Sequence, residues 1–304
     1  MASFTTQIKE EITKIETNRL ESFAEVCAYI KYNADMKNHI TLFIENASVA
    51  RRMFNLIKRL YGINTKLTIR KQKKFRIKTI YILEVTEKND LIKSDVEDLT
   101  KKILDYSYEE KASFLKGVFL ACGSINDPSK SKYHLEFLVP DEDLAYLVND
   151  LLISINFSAK VLKREKGFMI YIKASEEIAD IIKLFGAVQA LFYYEDIRIY
   201  RDHKNMVNRL NNCEQANVEK QLKTCDEQIE NIEYLETRDL LTLLDDKTRL
   251  VLDYRKKYPE TSMSELAEII SVETDYKITK SGINHHFRKL KELVRIQKEK
   301  DNNE

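Results

Sequence analysis

The chain has 304 residues, of which 43% are hydrophobic and 33% are charged, and its formal net charge is +1. This length predicts about two domains and a sizeable core. The near-zero net charge identifies no partner by itself, so a nucleic-acid partner has to be predicted from the local distribution of charge. The four cysteines lack the spacing of a zinc site, which excludes a structural metal of that type.

Targeting signals are not expected in this chain. No apolar run reaches the length of a membrane span, which is about 18 residues. The first residues lack the apolar segment of a signal peptide. We therefore expect a cytoplasmic protein that has no membrane partner and keeps its cysteines reduced.

One supersecondary unit is predicted twice along the chain. In the first copy, residues 39–45 alternate apolar and polar side chains, which indicates a strand. Apolar residues that recur every three or four positions indicate the helices. The first copy contains helices at 22–32 and 48–61 and strands at 39–45, 65–71 and 76–85.

The second copy repeats this order. It contains helices at 108–122 and 175–185, a helix that begins after Pro140, and strands at 133–139, 158–163 and 168–173. Two αβαββα copies predict an α+β domain with pseudo-two-fold symmetry, in which the two leading helices pack together at the axis. Gly117 on the second leading helix would allow a close approach. The alternative is that the alternation arises by chance.

The second leading helix ends abruptly in a glycine. Residues 114–124, which read FLKGVFLACGS, resemble the LAGLIDADG motif of homing endonucleases. The resemblance implies an acidic residue at the end of each axial helix, and the two carboxylates together hold a divalent metal ion that activates water. The corresponding positions here are Asn33 and Cys122, which are poor ligands for Mg²⁺. Asp35 and Asp127 lie just beyond the helix ends and are the candidate substitutes.

The missing carboxylates predict a protein that binds rather than cuts. No P-loop, G-x-S-x-G or H-E-x-x-H motif is present in the sequence. We expect no enzymatic activity, no cofactor, no metal site and no small-molecule substrate. An active endonuclease that uses the substitute carboxylates is the alternative.

The first predicted hairpin is strongly basic. Residues 66–78 contain seven basic and no acidic side chains, a distribution that suits contacts with phosphates. A solvated edge hairpin that lysine protects from aggregation is an equally good interpretation. The expected secondary DNA contacts in both hairpins and on a later helix are Lys66, Arg70, Lys73, Arg76, Lys163, Arg164 and Arg209.

That later helix is rich in amides. The amide side chains that fall on one of its faces are Asn205, Asn208, Asn212 and Gln215. Amides are unfavourable in helix interiors by propensity, so a partner is expected to satisfy them. The favoured interpretation is that this face packs against the first domain, and contact with nucleic acid or another protein is the alternative.

From about residue 245 the pattern is purely helical. A helix at 246–257 is followed by Pro259, and Ser262 and Glu265 form a capping box that begins the next helix. The core stripe of the third helix consists of Ile283, Phe287, Leu290 and Val294. This pattern predicts a helix-turn-helix with a connection at 271–278 that is longer than the usual tight turn.

A second face of the third helix carries side chains of the kind that read base edges in the major groove. Between residues 277 and 300, eight basic residues stand against two acidic ones, a local net charge of +6. The third helix is therefore expected to read DNA; a basic helix on the outside of a three-helix bundle is the alternative. The expected DNA-binding residues are Lys280, Ser281, Asn284, His285, His286, Arg288, Lys289 and Lys291.

The adjacent histidines at 285 and 286 are expected to contact phosphates or bases. A metal site is disfavoured because neighbouring residues of a helix point in different directions. A histidine contact predicts DNA binding that strengthens modestly as the pH falls from about 7.5 to about 6.

Three segments together resemble the WhiA family, at residues 117–128, 205–217 and 280–290, and the resemblance covers essentially the whole chain. It implies a bacterial transcription regulator of cell division and chromosome segregation, with roles in sporulation in some relatives. It also implies double-stranded promoter DNA as a partner, location at the nucleoid, and contacts with other division or transcription proteins. The alternative is a nucleoid- or division-associated protein whose endonuclease-like domain mainly binds protein partners.

The expected domain organisation has four parts. It consists of a first LAGLIDADG-like repeat at 1–105, a second repeat at 106–200, a helical linker at 201–236 and a helix-turn-helix domain at 237–304. The helix-turn-helix motif itself is expected at 262–296. The fold class is thus α+β, with an all-α domain at the end.

Overall fold

The computed structural model describes residues 3–72 and 78–301. The chain divides into two compact units, of which the first ends at Asp202 and the second begins at His203. Lys73 and Arg76, two of the expected DNA contacts, lie outside the described residues. None of the helices in the described ranges is both long and apolar enough to cross a membrane.

The elements of the first repeat are α1 (Phe4–Ile12), α2 (Arg19–Asn33), β1 (Ala34–Asp35), β2 (Ile40–Ile44), α3 (Ala47–Tyr61), β3 (Lys66–Gln72), β4 (Lys78–Val85) and α4 (Asn89–Lys102). The strands form an antiparallel sheet of order β1-β2-β4-β3. The central strand β2 buries every second residue, as the alternating sequence predicts.

The elements of the second repeat are α5 (Tyr108–Cys122), β5 (Gly123–Ile125), β6 (Leu135–Val139), α6 (Glu142–Ser154), β7 (Lys160–Arg164), β8 (Gly167–Ile172) and α7 (Ser175–Leu184). Its sheet has the order β5-β6-β8-β7, which matches that of the first repeat. The duplicated α+β fold is thereby confirmed. Helices α1 and α4 and the short strands β1 and β5, of two and three residues, are additions to the elements for which the sequence analysis gave bounds.

Helices α2 and α5 pack against each other along the axis between the repeats. Each begins with a capping box, formed by Asn18 and Glu21 in α2 and by Ser107 and Glu110 in α5. These boxes satisfy backbone N–H groups that would otherwise lack partners at the helix start. Both helices bury residues on nearly all sides, which is typical of a helix at the centre of a core.

Gly117 lies at the closest approach of these two helices. A Cβ atom at this position would lie 2.3 Å from the carbonyl oxygen of Glu25 and 2.8 Å from the Cβ of Ala28. Any larger residue would force the helices apart because close-packed interiors leave no room for extra atoms. The predicted close approach at Gly117 is confirmed.

A buried ion pair joins α2 to α3. Nε of Arg52 donates to Oε1 of Glu25 at 2.5 Å, and Nη2 donates to Oε2 at 2.7 Å. Glu25 is fully buried and Arg52 is 7% exposed. Nη1 of Arg52 also donates to the carbonyl oxygens of Thr13, at 3.2 Å, and Ile15, at 2.7 Å. The guanidinium therefore holds α2, α3 and the end of α1 together.

The second unit is a helical bundle. It contains the C-terminal part of α8 (Val188–Glu236), then α9 (Asp246–Lys257), α10 (Met263–Glu273) and α11 (Lys280–Asp301). Its core consists of Ile232, Leu235, Val251, Leu252, Leu266, Ala267, Ile270, Ile283, Phe287, Leu290 and Val294. The core stripe predicted for the last helix is therefore confirmed.

The amide-rich stretch of α8 is exposed throughout. Residues 202–220 are all exposed, and the packing of Asn205, Asn208, Asn212 and Gln215 against the first domain stays a prediction. Nε2 of Gln215 donates to Oε1 of Glu219 at 3.0 Å, one turn further along the helix. Side chains four residues apart are neighbours on a helix surface, so this amide is partly satisfied locally.

Candidate nucleic-acid interface

The two positions that align with catalytic carboxylates lie where α2 and α5 run into short strands. Asn33 ends α2 and Cys122 ends α5. Oδ1 of Asn33 is buried and has no hydrogen-bond partner among the described residues. Sγ of Cys122 donates to the carbonyl oxygen of Val118 at 3.4 Å, and burial raises the pKa of this thiol to about 12. A neutral thiol and a neutral amide do not supply the anionic oxygens that Mg²⁺ prefers.

A lysine from α1 lies beside the same end of α5. Nζ of Lys9 donates to the carbonyl oxygen of Leu120 at 3.1 Å and lies 5.5 Å from the ring centroid of Phe119. Burial lowers the pKa of Lys9 to about 8, so the amine still carries a positive charge at neutral pH. This charge further disfavours a divalent cation at the helix ends.

The two candidate substitute carboxylates are held in local structure. Asp35 lies in β1 rather than in a loop, and its Oδ1 accepts a hydrogen bond from the backbone of Lys37 at 3.1 Å. Oδ1 of Asp127 accepts from the backbone of Ser129 at 2.9 Å and from the hydroxyl of Tyr193 at 3.1 Å. Within residues 3–72 and 78–301, no group of three or more His, Cys, Asp or Glu side chains is placed to hold a metal ion.

The start of α11 is fixed by a cap and a close contact. Oγ1 of Thr279 accepts a hydrogen bond from the backbone of Gly282 at 3.3 Å. A Cβ atom on Gly282 would lie 2.8 Å from Cγ1 of Ile278, so glycine lets the connection pack against the first turn. Together with the buried core stripe, these contacts determine which face of α11 points outward.

The outward face of α11 is basic and carries donors and acceptors. Residues three, four and seven positions apart share one face of a helix. Along this face and its edges lie the exposed residues Lys280, Ser281, His285, Arg288 and Lys291 and the half-buried Asn284. Among the residues that the structure describes, Lys280, Arg288 and Lys291 form no ion pair, so their charges are available to a polyanion.

Lys289 lies on the flank of α11 and is engaged within the unit. Its Nζ lies 3.0 Å from Oδ2 of Asp245, and Oδ1 of the same carboxylate accepts from the backbone of Thr248 at 2.7 Å. The hydrogen bond from Lys289 holds the pKa of the Asp245 carboxyl well below its usual range. The structure therefore places Lys289 against the start of α9, apart from the face that carries Arg288.

His286 departs from the expected DNA contact. Its side chain is only 6% exposed, with Nδ1 2.8 Å from Oγ1 of Thr248 and Nε2 3.1 Å from the hydroxyl of Tyr276. Both ring nitrogens are satisfied inside the bundle, so the direct contact predicted for His286 is corrected to a structural role. The sequence carried a signal for this, because His286 lies three residues after Ile283 and four before Leu290, next to the core stripe.

The connection between α10 and α11 is ordered by hydrogen bonds. Oγ of Ser271 donates to the carbonyl oxygen of Ile278 at 3.2 Å and accepts from its backbone N–H at 3.1 Å. The backbone of Tyr276 donates to Oγ1 of Thr274 at 3.1 Å. Because the Tyr276 hydroxyl meets His286, this connection is fixed to both α11 and α9.

The stability of the second unit is expected to depend on His286 at acidic pH. Burial lowers the pKa of His286 below its usual value; Asp245 opposes this shift, while Lys289, His285 and Lys247 reinforce it. A depressed folded-state pKa gives stability that is present above the unfolded pKa of about 6.5 and is lost as the pH falls through the folded pKa. We therefore expect the melting temperature of the second unit to decrease as the pH is lowered below about 6.5.

Thermal melts at a series of pH values test this expectation. The variant His286→Gln should be less stable at neutral pH and should lose much of the acid dependence. The variant His285→Gln, at the exposed neighbouring position, is the matched control and should retain it. An acid dependence that is unchanged in His286→Gln would contradict the prediction.

The basic residues of the hairpins lie on different faces of their sheets. Lys66 and Arg70 are exposed on one face of the first sheet, and Nζ of Lys66 lies 3.2 Å from Oε2 of Glu84. Lys163 and Arg164 are consecutive in β7 and point to opposite faces. The expected contacts therefore do not form one continuous row, and Arg209 is exposed separately on α8.

Three family models match successive parts of the chain. A WhiA N-terminal LAGLIDADG-like domain matches residues 19–100, a WhiA LAGLIDADG-like domain matches residues 111–204, and a WhiA C-terminal HTH domain matches residues 207–294. The chain belongs to the WhiA family. Its second unit is accordingly a helix-turn-helix domain of the WhiA type.

Relatives are similar along nearly the whole length. A probable cell division protein WhiA of Enterococcus faecalis is 35% identical over 312 residues, which cover 98% of this chain and 99% of that protein. One from Staphylococcus epidermidis is 37% identical over 305 residues, or 96% of each. The crystal structure of full-length DUF199/WhiA from Thermatoga maritima has 25% identity and a TM-score of 0.57, and the match covers 97% of this chain and 98% of that one.

Proposed function

We propose that this WhiA-family chain is a sequence-specific DNA-binding transcription regulator that acts in cell division and chromosome segregation. The outward face of α11 carries the proposal, since it combines base-reading side chains with three cations that form no ion pair among the described residues. The names of its relatives, probable cell division proteins, support the cellular process. Double-stranded promoter DNA in the nucleoid is the proposed partner.

In this proposal α11 lies in the major groove. The guanidinium of Arg288 is suited to a bidentate contact with guanine, and the amide of Asn284 to one with adenine. Lys280 and Lys291 at the edges of the face neutralise phosphates and release counterions. The buried contacts of His286 and the cap formed by Thr279 at the start of α11 hold the helix in a fixed orientation towards the DNA.

Replacing Arg288 by alanine should reduce discrimination between the preferred site and other sequences. Loss of a bidentate base contact costs about 1–3 kcal/mol, or roughly 5- to 150-fold in relative affinity. The measurement is affinity selection of genomic fragments by the full chain at near-physiological salt, followed by titration of the enriched sequence and a mismatched one.

Lys291→Ala is the control for this prediction. Loss of a phosphate contact should weaken binding to all sequences about equally and reduce the slope of log affinity against log salt by about 1. If Arg288→Ala also weakened all sequences equally, α11 would be an electrostatic binder and the proposed reading role would be wrong.

We further propose that the endonuclease-like repeats do no cutting. The amide of Asn33, the protonated thiol of Cys122 and the charge on Lys9 support this, because metal-dependent cleavage needs anionic ligands for the metal. Supercoiled DNA incubated with the protein and Mg²⁺ or Mn²⁺ should remain uncut. Cleavage that disappears in Asp35→Ala or Asp127→Ala would establish a working nuclease instead.

A second candidate function is that the repeats bind protein partners at the nucleoid. It is favoured by apolar side chains on the outer faces of the two sheets, where Phe43 is 50%, Leu138 53% and Leu162 43% exposed. Exposed apolar groups of this kind suit protein contacts better than phosphates. Genomic selection distinguishes the candidates, because a regulator enriches a defined motif and a protein-binding chain does not.

A further inference from the structure

A cavity of about 250 Å³ opens in the second unit between α8, the start of α10 and the start of α11. Its positively charged lining residues are Lys220, Arg255 and Lys280, and none of its lining residues is Asp or Glu. Gln228 and the residues Ser262, Met263 and Ser264 at the start of α10 also line the cavity. A cavity with this charge is suited to an anion.

The guanidinium of Arg255 is the most unusual group in this lining. Its side chain is fully buried, and Nη1 donates to the carbonyl oxygens of Thr261, at 2.7 Å, and Tyr258, at 3.2 Å. Nε and Nη2 have no hydrogen-bond partner among the described residues. A buried charge without an anionic partner is unfavourable, and burial accordingly lowers the pKa of Arg255.

The unpartnered edge of Arg255 has a defined geometry. Nε and one N–H of Nη2 point the same way and are spaced to grip two oxygen atoms of one carboxylate or phosphate. The opposite end of the guanidinium already holds the loop between α9 and α10. Arg255 is therefore fixed in place, with its anion-binding edge free.

The start of α10 provides backbone donors to the same cavity. Its capping box occupies the N–H groups of Ser262 and Glu265. Met263 and Ser264, which line the cavity, are the first two residues of the helix, and N–H groups at such positions have no partner within the helix. The partial positive charge of a helix N-terminus adds to the attraction for an anion.

Gln228 and the two lysines complete the lining. Gln228 is 7% exposed, and its Oε1 has no partner among the described residues. Because the oxygen and nitrogen of an amide exchange places by a half-turn of the side chain, Gln228 can present its NH₂ group to an anion. Lys220 and Lys280 are exposed at the edge of the cavity and can fold over its contents.

We propose that this cavity binds a phosphate group, held by the Nε–Nη2 edge of Arg255 and the N-terminus of α10, with Lys220 and Lys280 closing over it. The cavity is smaller than the about 300–1,000 Å³ of drug-sized ligand pockets, which suits a phosphate group rather than a whole nucleotide. The phosphate belongs either to the backbone of bound DNA or to a small phosphate-bearing molecule.

Calorimetric titration of the full chain with inorganic phosphate at constant ionic strength tests the site. The wild-type chain should bind phosphate saturably, and thermal melts in the same buffers should show stabilisation relative to chloride. The double variant Lys220→Gln/Lys280→Gln should bind roughly tenfold more weakly or not at all. Lys223→Gln/Lys300→Gln removes the same charge outside the cavity and should bind as the wild type does.

Arg255→Lys provides a second variant that separates binding from folding. A lysine can still donate to the loop carbonyls but lacks the paired donors that Nε and Nη2 of arginine provide. The variant should therefore lose phosphate binding and keep a cooperative thermal transition. Absence of saturable phosphate binding by the wild-type chain up to tens of millimolar would overturn the proposal. If the Lys223→Gln/Lys300→Gln control lost as much phosphate affinity as the cavity variant, binding would depend only on overall charge. That result would also overturn the proposal.

Measurements with duplex DNA identify the source of the phosphate. If the cavity holds a backbone phosphate, saturating duplex should block phosphate binding, and Lys220→Gln alone, which leaves the proposed DNA contact of Lys280 intact, should weaken binding to all DNA sequences with a salt slope smaller by about 1. If it holds a small molecule, phosphate should bind equally well to the DNA complex. The phosphate titration uses no DNA, so it can fail without any failure of the proposed regulatory function.

Discussion

Replacing Arg52 by methionine is expected to lower the free energy of unfolding of the first unit by about 3–5 kcal/mol. The change removes both hydrogen bonds from the fully buried carboxylate of Glu25 and leaves that charge without its main partner. It also releases the carbonyl oxygens of Thr13 and Ile15. Urea unfolding, monitored by hydrogen exchange in peptides from α2 and α5, would measure the loss of stability of the first unit separately from the stability of the second.

Two further variants make the Arg52 result interpretable. Arg51→Met alters an exposed neighbour on the same helix and should cost little. Glu25→Leu/Arg52→Met removes both charges and should recover much of the lost stability, because a buried pair often contributes little more than apolar residues of similar size. If Arg52→Met cost no more than Arg51→Met, the pair would not be buried in solution as the structure has it.

Replacing Gly117 by valine should cost the first unit about 3 kcal/mol or more, at or above the usual range for overpacking. The first added atom would meet the backbone oxygen of Glu25 at 2.3 Å, and a backbone atom cannot rotate away as a side chain can. The same unfolding measurement applies.

The matched control for Gly117→Val is Glu109→Val, which introduces the same β-branched residue at an exposed position in the first turn of α5. It should cost only the small helix-propensity difference. Similar losses for the two variants would mean that the axial helices separate easily, contrary to the close packing described above.

Much of the fold could be predicted from the sequence because its local signals agree with its tertiary structure. The predicted bounds of α5 and α9 coincide with the observed ones, since each helix begins at a side-chain cap and carries a strong apolar repeat. The order of strands and helices in both repeats could be predicted because two apolar patterns follow each other along the chain. Strict alternation of apolar and polar residues indicates the strands, and apolar residues at every third or fourth position indicate the helices. Helix α8 instead begins at Val188, well before the predicted linker, because no proline or helix-ending glycine separates these segments.

The candidate site was predicted less completely, for physical reasons that concern particular residues. The helical repeat and the charge pattern of α11 predicted that Arg288 lies on an exposed face, and the structure agrees. The sequence did not predict the cavity beside Arg255, because α8, which forms one side of that cavity, is far from Arg255 in sequence. The pairing of Glu25 with Arg52 was missed for the same reason, because 27 positions separate the two residues. Contacts between distant segments leave no periodic trace in a sequence.

The packing of the axial helices bears on how the first unit unfolds. Helices α2 and α5 each cover apolar side chains of the other repeat. The hydroxyl of Tyr32 in the first repeat also donates to the carbonyl oxygen of Leu144 in the second, at 3.0 Å. One repeat alone would expose the apolar surface that the other repeat covers, so neither repeat is an independently folding unit. The duplicated halves should consequently melt in a single cooperative transition, and a chain truncated between α4 and α5 should behave as an unfolded polypeptide.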